Sequence, residues 1–172
     1  MEKESCLELV IFDLDGTLVK LPIDYDKMYS KLRQLFNLKD RVVPLKTVDK
    51  LTRGNLGLRR RAFQILTEAE MEALPKIRLN PSLEELREKF KPVDKALVTM
   101  QGPEVVNQIL PLLKIKFKMV VTREHSLDRA EQLRHVIACL GTQPARVLFI
   151  GDRFNDELGA RNVGCRFMKI GW

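Results

Sequence analysis

Two aspartates spaced two residues apart follow the first apolar segment of the chain. That segment covers residues 7–12, and Asp13 and Asp15 come directly after it. An extended backbone would place both carboxylates on the same side, where they repel each other, and a divalent cation relieves such repulsion. The pair Asp15-Gly16 also suits an ordinary turn after a strand, so this spacing alone leaves the choice between a turn and a metal site open.

A hydroxyl group follows a second apolar segment, at residues 96–98. Thr99 comes next, and Met100 and Gln101 then lead to a glycine. A hydroxyl together with free backbone N–H groups suits the oxygens of a phosphate group. A threonine at the end of a strand is common, but this segment predicts phosphate contacts for Thr99, Met100 and Gln101 if it shares an edge with the aspartates.

Two more carboxylates, Asp152 and Asp156, follow the apolar segment at residues 147–150. Asp152 by itself could simply cap the helix that comes after it. In an open parallel sheet, however, ligands bind at the carboxyl ends of the strands, and these ends meet at one edge. Acids and a hydroxyl at the ends of three segments therefore predict one ligand site.

The elements that position these residues alternate between apolar segments and helical patterns. A short apolar segment bounded by polar residues is typical of a buried strand, and strands that alternate with helices are typical of a parallel sheet. We therefore predict an α/β fold with a doubly wound, Rossmann-like parallel sheet. The predicted strands cover residues 7–12, 96–98, 117–121, 147–150 and 165–170.

Residues with capping preferences predict where three helices begin and end. Asn80 can cap a helix that has Pro81 as its first residue. Val105, Ile109 and Leu112 mark a second helix, which Pro111 is expected to shorten. Ser126 can cap a third helix, which Gly141 would end.

The stretch from residue 19 to residue 77 interrupts this alternation. Apolar residues recur there at helical spacing, and no strand is predicted. Thr67 and Glu70 form a capping-box pattern that predicts the start of another short helix. We therefore predict a helical cap domain at 19–77, inserted into an α/β core formed by 1–18 and 78–172.

The order of these residues resembles the haloacid dehalogenase-like hydrolases, and in particular the phosphoglycolate phosphatase-like members with a helical cap. Three motifs carry the resemblance: D-x-D-x-T, a Ser or Thr that ends the second strand, and G-D-x-x-x-D. They are matched by Asp13, Asp15, Thr17, Thr99, Gly151, Asp152 and Asp156. The match runs in the family's order from the first strand to near the C-terminus and so covers essentially the whole predicted core.

The resemblance implies a Mg²⁺-dependent phosphatase that forms an aspartyl-phosphate. Asp13 would be the nucleophile, and Asp15 would be the general acid and base. Asp13, the backbone carbonyl of Asp15, Asp152 and Asp156 would bind Mg²⁺. Thr99 would hold phosphoryl oxygens, and the first motif adds Thr17 as a substrate-binding residue.

The sequence departs from the family at the third motif, which calls for a lysine. No lysine is present between Met119 and Phe167. Arg129 and Arg123 are the nearest cations, and arginine binds phosphate through two parallel hydrogen bonds. We choose Arg129 as the replacement because it lies in the first turn of its helix, and we expect Arg123 to be a weaker substrate contact.

Specificity is expected to come from the inserted helices, which would cover the strand ends. Arg53 precedes Gly54, and Gly57 is close behind, so this segment can form a loop near a ligand. Arg53 is therefore a candidate substrate contact. The three arginines at 59–61 point in different directions on a helix and would mostly face solvent.

The net charge of +7 favours anionic partners, either a small phosphorylated metabolite or nucleic acid. Aromatic residues make up only 6% of the chain, which leaves few platforms for base stacking and argues against a nucleic-acid end phosphatase. A third class is a phosphate-binding scaffold without catalysis. The missing lysine favours that class, whereas the pair Asp13 and Asp15 argues against it.

The cysteines indicate a reducing compartment. Cys6, Cys139 and Cys165 are odd in number and widely spaced, which predicts reduced, buried thiols in a cytoplasmic protein. The start of the chain, Met1–Glu4, runs directly into the apolar segment at 7–12 without the net basic start of a signal peptide, and that segment is too short to span a membrane. The sequence does not indicate an oligomeric state.

Overall fold

A computed structural model describes residues 6–172, so the start of the chain at Met1–Glu4 lies outside the described residues. Five strands form one parallel sheet in the order β5-β4-β1-β6-β7, and β2 pairs with β3 in a separate antiparallel ribbon. The predicted α/β fold is confirmed. The strands are β1 Leu9–Phe12, β2 Val19–Lys20, β3 Arg78–Leu79, β4 Asp94–Val98, β5 Met119–Val121, β6 Val147–Gly151 and β7 Arg166–Lys169.

Seven α-helices accompany these strands in the described part of the chain. Three of them lie between β2 and β3, and the other four alternate with the strands of the large sheet. They are α1 Tyr25–Phe36, α2 Leu45–Thr52, α3 Leu56–Ala73, α4 Leu83–Lys89, α5 Pro103–Leu113, α6 Arg129–Leu140 and α7 Phe154–Val163.

The central strand β1 is apolar throughout because both of its faces are covered. Val10 and Phe12 belong to the apolar cluster that includes residues of α4 and α5. Leu9 and Ile11 belong to the cluster on the other face, which includes residues of α6 and α7. Side chains alternate between the two faces of a strand, so burial on both sides requires a continuous apolar segment.

The inserted helices have an apolar cluster of their own. α1, α2 and α3 contribute Met28, Leu32, Val48, Phe63 and Leu66 to this cluster. The insertion is not wholly helical, however, because Val19 and Lys20 form β2. The expectation of a stretch without strands was therefore wrong at its first two residues. The division into core and cap domains stays a prediction.

Two predicted helix boundaries were wrong because each helix begins later than its predicted cap. Asn80 accepts the N–H of Ser82 at 2.8 Å, and α4 begins only at Leu83. The Ser126 hydroxyl accepts the N–H of Asp128, and the carboxylate of Asp128 caps α6.

Prolines and apparent capping boxes also misled the prediction inside two helices. Pro111 lies within α5, which continues to Leu113, so this proline does not shorten the helix. Thr67 and Glu70 lie inside the single long helix α3 and do not begin a new one. Both side chains instead contact Arg123.

The cysteines are free, but only one of them is buried. Cys165 is buried, whereas Cys6 and Cys139 are exposed, so the prediction of three buried thiols was wrong for two of them. Burial raises the pKa of the Cys165 thiol to about 11. Across residues 6–172, the helices are all too short or too polar to cross a membrane.

Candidate active site

Three predicted site residues lie directly after the parallel strands. Asp13 follows β1, Thr99 follows β4 and Asp152 follows β6. The chain leaves β1 through Gly16, whose φ is +85, and a Cβ on Gly16 would collide with the carboxylate of Asp152. Only glycine permits both this backbone conformation and this close approach, so Gly16 allows the two strand ends to meet.

Three carboxylates converge at this edge of the sheet. One oxygen each from Asp13, Asp152 and Asp156 lies within 4.8 Å of the other two. Asp13 and Asp156 are buried, and Asp152 is half-buried. The carboxylate of Asp15 does not belong to this group, and its Oδ1 accepts the N–H of Leu21 at 2.8 Å.

Burial raises the pKa of the Asp13 carboxyl to about 7. The guanidinium of Arg129 opposes this shift, whereas the carboxylates of Asp156 and Asp152 add to it. Burial also raises the pKa of Asp15 and of Asp152. Ionised carboxylates packed this closely therefore depend on nearby positive charge.

Arg129 supplies part of that charge from the first residue of α6. Its Nη2 lies 2.8 Å from Oδ1 of Asp13, and its Nε lies 2.9 Å from Oδ1 of Asp156. Its Nη1 donates to the side chain of Gln132 at 2.8 Å. The side chain is only 9% exposed, so the guanidinium is held between the two carboxylates and not in solvent. The structure brings Arg129 to the strand ends, and its catalytic role stays a prediction.

The carboxylate group fits a hard divalent cation. Oδ1 of Asp152 is buried and has no hydrogen-bond partner among residues 6–172. A buried charged oxygen without a partner is unfavourable, and a metal ion would provide one. Oxygen-only donors are those that Mg²⁺ prefers. Asp13, Asp152 and Asp156 therefore suit Mg²⁺ better than a softer metal.

Of the predicted phosphate contacts after β4, Thr99 and Gln101 are buried and bonded to each other, whereas Met100 is partly buried. The Thr99 hydroxyl donates to the side chain of Gln101 and accepts the backbone N–H of Gln101 at 3.1 Å. The carbonyl of Met100 accepts a hydrogen bond from Arg123 at 3.1 Å. A phosphate oxygen would therefore compete with Gln101 for the hydroxyl proton of Thr99.

Thr17 offers a second hydroxyl near the turn after β1. The residue is fully buried, and its Oγ1 has no hydrogen-bond partner within the described residues. Its carbonyl accepts the side-chain amide of Asn80 at 2.7 Å. Asn80 therefore supports the turn that carries Asp15, although it does not cap the helix for which it was chosen.

Arg123 is buried between the segment after β5 and the inserted helix α3. It is fully buried and pairs with Glu70 of α3. It also donates to the hydroxyl of Thr67 at 2.5 Å and to the carbonyl of Phe63 at 3.3 Å. These partners on α3, together with the Met100 carbonyl, hold the two terminal nitrogens of Arg123, and substrate contact by Arg123 stays a prediction.

Arg53 lies in the connection between α2 and α3. Its side chain is 80% exposed and lies 3.6 Å from Asp49. Gly54 has φ +76, so this connection does turn at a glycine. No contact brings Arg53 to the carboxylate group in the described part of the chain, and substrate contact by Arg53 stays a prediction.

Sequence reasoning missed two residues beside Asp15. Arg153 lies within the G-D-x-x-x-D motif, and its Nη2 is 3.6 Å from Oδ2 of Asp15. Burial raises the pKa of Tyr25, the first residue of α1, and the nearby guanidinium of Arg153 opposes this shift. The sequence did offer a signal for Arg153, because this arginine directly follows the predicted metal ligand Asp152. Tyr25 gave none, because its spacing from Met28 and Leu32 is that of an ordinary apolar helix face.

A family model of haloacid dehalogenase-like hydrolases matches residues 7–164. The chain belongs to this family. Relatives of this hydrolase include an uncharacterized hydrolase of Saccharomyces cerevisiae, which is 26% identical over 92% of this chain and 75% of its own length. Pyrophosphatase PpaX of Anoxybacillus flavithermus is 26% identical over 96% of this chain and 84% of its own length.

A solved structure supports the fold of this haloacid dehalogenase-like hydrolase. A haloacid dehalogenase-like family protein from Streptococcus pneumoniae superposes with a TM-score of 0.69. It is 19% identical, and the match covers 96% of this chain and 85% of that protein. At this identity the likeness establishes the fold alone.

Proposed function

We propose that this haloacid dehalogenase-like hydrolase is a Mg²⁺-dependent phosphatase for a small phosphorylated metabolite. The observation that carries the proposal is the position of Arg129, which lies 2.8 Å from Asp13 and 2.9 Å from Asp156. A phosphoryl group needs a compensating cation during transfer. The family's lysine is missing, and Arg129 provides a cation at the strand ends.

Asp13 is the nucleophile in this proposal. Its carboxylate attacks phosphorus, the bond to the ester oxygen breaks, and an aspartyl-phosphate forms. Asp15 gives a proton to the departing oxygen and then takes one from the water that hydrolyses the intermediate. The N–H of Leu21 holds Oδ1 of Asp15 in place, which leaves Oδ2 for proton transfer.

Asp13, Asp152 and Asp156 would hold Mg²⁺, together with the backbone carbonyl of Asp15. Bound Mg²⁺ would supply charge neutralisation for the phosphate and the nucleophile. Arg129 and the Thr99 hydroxyl would hold the remaining phosphoryl oxygens. For this, Arg129 must exchange a carboxylate partner for the phosphate, and Thr99 must give up its bond to Gln101.

The inserted helices would act as a cap domain over the strand ends. Residues 19–77 are assigned to this cap, and residues 1–18 and 78–172 to the core. The separate apolar cluster of α1, α2 and α3 supports the division. The free cysteines support a cytoplasmic location, since disulfides form in oxidising compartments.

A turnover assay tests the proposal. The purified protein is incubated with an aryl phosphate and Mg²⁺, and phosphate release is measured before and after chelation. We expect release that requires Mg²⁺ and is lost in Asp13→Asn. Phosphate release that survives exhaustive chelation, or that is equal in Asp13→Asn, contradicts the mechanism. A phosphate-binding scaffold would bind phosphate without any turnover.

A further inference from the structure

Tyr25 and Arg153 meet beside the carboxylate of Asp15. Tyr25 begins α1 of the insertion, whereas Arg153 immediately precedes α7 at the edge of the sheet. The phenol of Tyr25 and the guanidinium of Arg153 interact electrostatically. The two parts of the chain thus contribute one side chain each to the same small region.

The geometry of Asp15 determines what this region can contact. Oδ1 of Asp15 accepts the N–H of Leu21 at 2.8 Å, whereas Oδ2 lies 3.6 Å from Nη2 of Arg153. If Oδ2 passes a proton to the departing oxygen, the leaving group must lie next to Oδ2. Arg153 and Tyr25 are therefore placed to contact the leaving group, whereas Arg129 contacts the nucleophile.

Arg153 has charge available to a ligand. Its Nε is 3.9 Å from Oδ2 of Asp152, and its distance to Asp15 is also longer than a hydrogen bond. Its side chain remains 59% exposed, in contrast with the 9% of Arg129. An arginine with loose partners and an open side can accept an anion through two parallel hydrogen bonds.

Further positive charge lies beside the same turn. The positive charge of Lys20 acts on the carboxyl of Asp15, and Lys20 is exposed. Arg78 on the adjacent strand is also exposed, and both cations lie over the ring of Trp172, at 5.9 Å and 5.8 Å from its centroid. This side of Asp15 therefore favours a negatively charged group over a neutral one.

We propose that Tyr25 and Arg153 form a leaving-group subsite that selects phosphate monoesters bearing a second anionic group. The second group is a carboxylate or another phosphate, which the guanidinium of Arg153 binds while the phenol of Tyr25 donates a further hydrogen bond. This inference rests on the proposed phosphatase function, because it assigns the side of Asp15 on which the leaving group lies.

Matched substrates test the subsite by activity. Three phosphate monoesters share one short alkyl chain, which ends in a carboxylate, a phosphate or a neutral carboxamide. We expect wild-type kcat/KM to be about tenfold or more higher for at least one anionic ester than for the carboxamide, since a charge-assisted pair is a strong contact. Comparison of the two anionic esters shows which anion the subsite takes.

Variants assign the preference to Arg153. In Arg153→Gln the ratio between the preferred anionic ester and the carboxamide should fall to about threefold or less, and Arg153→Lys should restore part of it. Tyr25→Phe should reduce the same ratio by a smaller factor. Arg161→Gln is the matched control, because Arg161 is an exposed arginine on α7 that pairs with Glu157. This control should keep the wild-type ratio.

A binding measurement separates failure of the subsite from failure of the phosphatase function. Calorimetry with Mg²⁺ compares a phosphonate that carries a carboxylate with its carboxamide, and neither needs to be hydrolysed. Wild-type protein should bind the carboxylate form more tightly, and Arg153→Gln should not. Hydrolysis of all three esters at equal kcat/KM overturns the subsite alone, as does an unchanged ratio in Arg153→Gln. If no ester is hydrolysed, the phosphatase function fails, and equal binding of the two phosphonates then also overturns the subsite.

Discussion

Glu70 and Arg123 form a fully buried ion pair between the long inserted helix α3 and the segment after β5. The second oxygen of Glu70 accepts the N–H of Gly102 at 3.1 Å, and Arg123 donates to the carbonyl of Met100. The loop that follows Thr99 is therefore fixed to α3 from two directions. A side chain from the insertion thus helps to position the predicted phosphate contacts of the sheet.

Removal of Arg123 should strongly destabilise the protein. Arg123→Met leaves the Glu70 carboxylate buried without its cation, and breaking such a pair costs about 3–5 kcal/mol. The double variant Arg123→Met/Glu70→Leu should lose less free energy of unfolding than the two single variants lose together, because it leaves neither charge of the pair buried. Urea denaturation measures the free energies of unfolding.

The exposed pair of Arg53 and Asp49 provides the control for this cycle. Arg53→Met should change the free energy of unfolding by about 1 kcal/mol or less, since exposed ion pairs contribute little. Equal losses in Arg53→Met and Arg123→Met would show that burial of the Arg123 pair has no energetic consequence.

The pH dependence of stability should change in Glu70→Gln. Burial raises the pKa of Glu70, although Arg123 and the N–H of Gly102 oppose the shift. A carboxyl with a raised pKa in the folded state binds its proton more tightly there than in the unfolded state. Its contribution to the free energy of unfolding is therefore present at low pH and is lost as pH rises through the folded pKa. Above pH 4.5, the denaturation midpoint of Glu70→Gln should therefore decline less with pH than that of the wild type.

Glu72→Gln is the matched comparison, because Glu72 lies on the same helix with half of its side chain exposed. The same measurements on Glu72→Gln show how much of the change follows from the loss of any carboxylate on α3. Measurements in chelating buffer keep the metal site from contributing. If the denaturation midpoint changes with pH equally in Glu70→Gln and in the wild type, Glu70 does not contribute to the pH dependence of stability.

Asp13→Asn should abolish turnover and leave the fold intact. The amide keeps the shape of the buried side chain but cannot act as the nucleophile, and loss of a nucleophile lowers kcat by about a thousandfold or more. Phosphate release and circular dichroism are the two measurements. Near wild-type release by folded Asp13→Asn protein would exclude Asp13 as the nucleophile.

Arg129→Ala should slow turnover by about a hundredfold or more, the effect of losing one electrostatic group that stabilises the transition state. Arg129→Lys should recover part of this loss, because lysine keeps the charge but not the two-pronged contact with Asp13 and Asp156. Steady-state kinetics measure kcat and kcat/KM. Arg134→Ala, on the same helix, is the control and should behave like the wild type.

Mg²⁺ should raise the melting temperature of the wild-type protein. At a concentration about a hundred times the dissociation constant, binding adds about 2.7 kcal/mol, or about 5–10 °C for a chain of this size. Chelation should reverse the increase, and Asp152→Asn should greatly reduce it because Oδ1 of Asp152 has no other partner among the described residues. A melting temperature that is insensitive to Mg²⁺ argues against the proposed site.

The sheet was predictable because its central strand is buried on both faces. β1 and β6 therefore read as continuous apolar segments, and the aspartates that end them mark one edge of the sheet. Helix starts were less predictable, since Ser126 and Asp128 both carry capping oxygens within one turn. Local sequence does not indicate which of them caps α6, and only the Asp128 carboxylate reaches the N–H of Glu131.

The carboxylates of the site were predictable, whereas their cationic neighbours were only partly so. Arg129 followed from its place in the first turn of a helix. Arg123 did not, because its partner Glu70 lies 53 residues away in a pattern that resembles a capping box. The contact of Tyr25 with Arg153 joins residues from opposite ends of the chain, so spacing along the sequence carries no signal for it.

Trp172 is the only tryptophan of the chain, and its Nε1 donates to the carbonyl of Gly16 at 3.0 Å. Lys20 and Arg78, one from each strand that connects the sheet to the inserted helices, lie over the same ring. The intrinsic fluorescence of tryptophan therefore comes from a single indole attached to the turn after Asp15. The emission spectrum of the unlabelled protein thus reports directly on this turn and on both connections to the insertion.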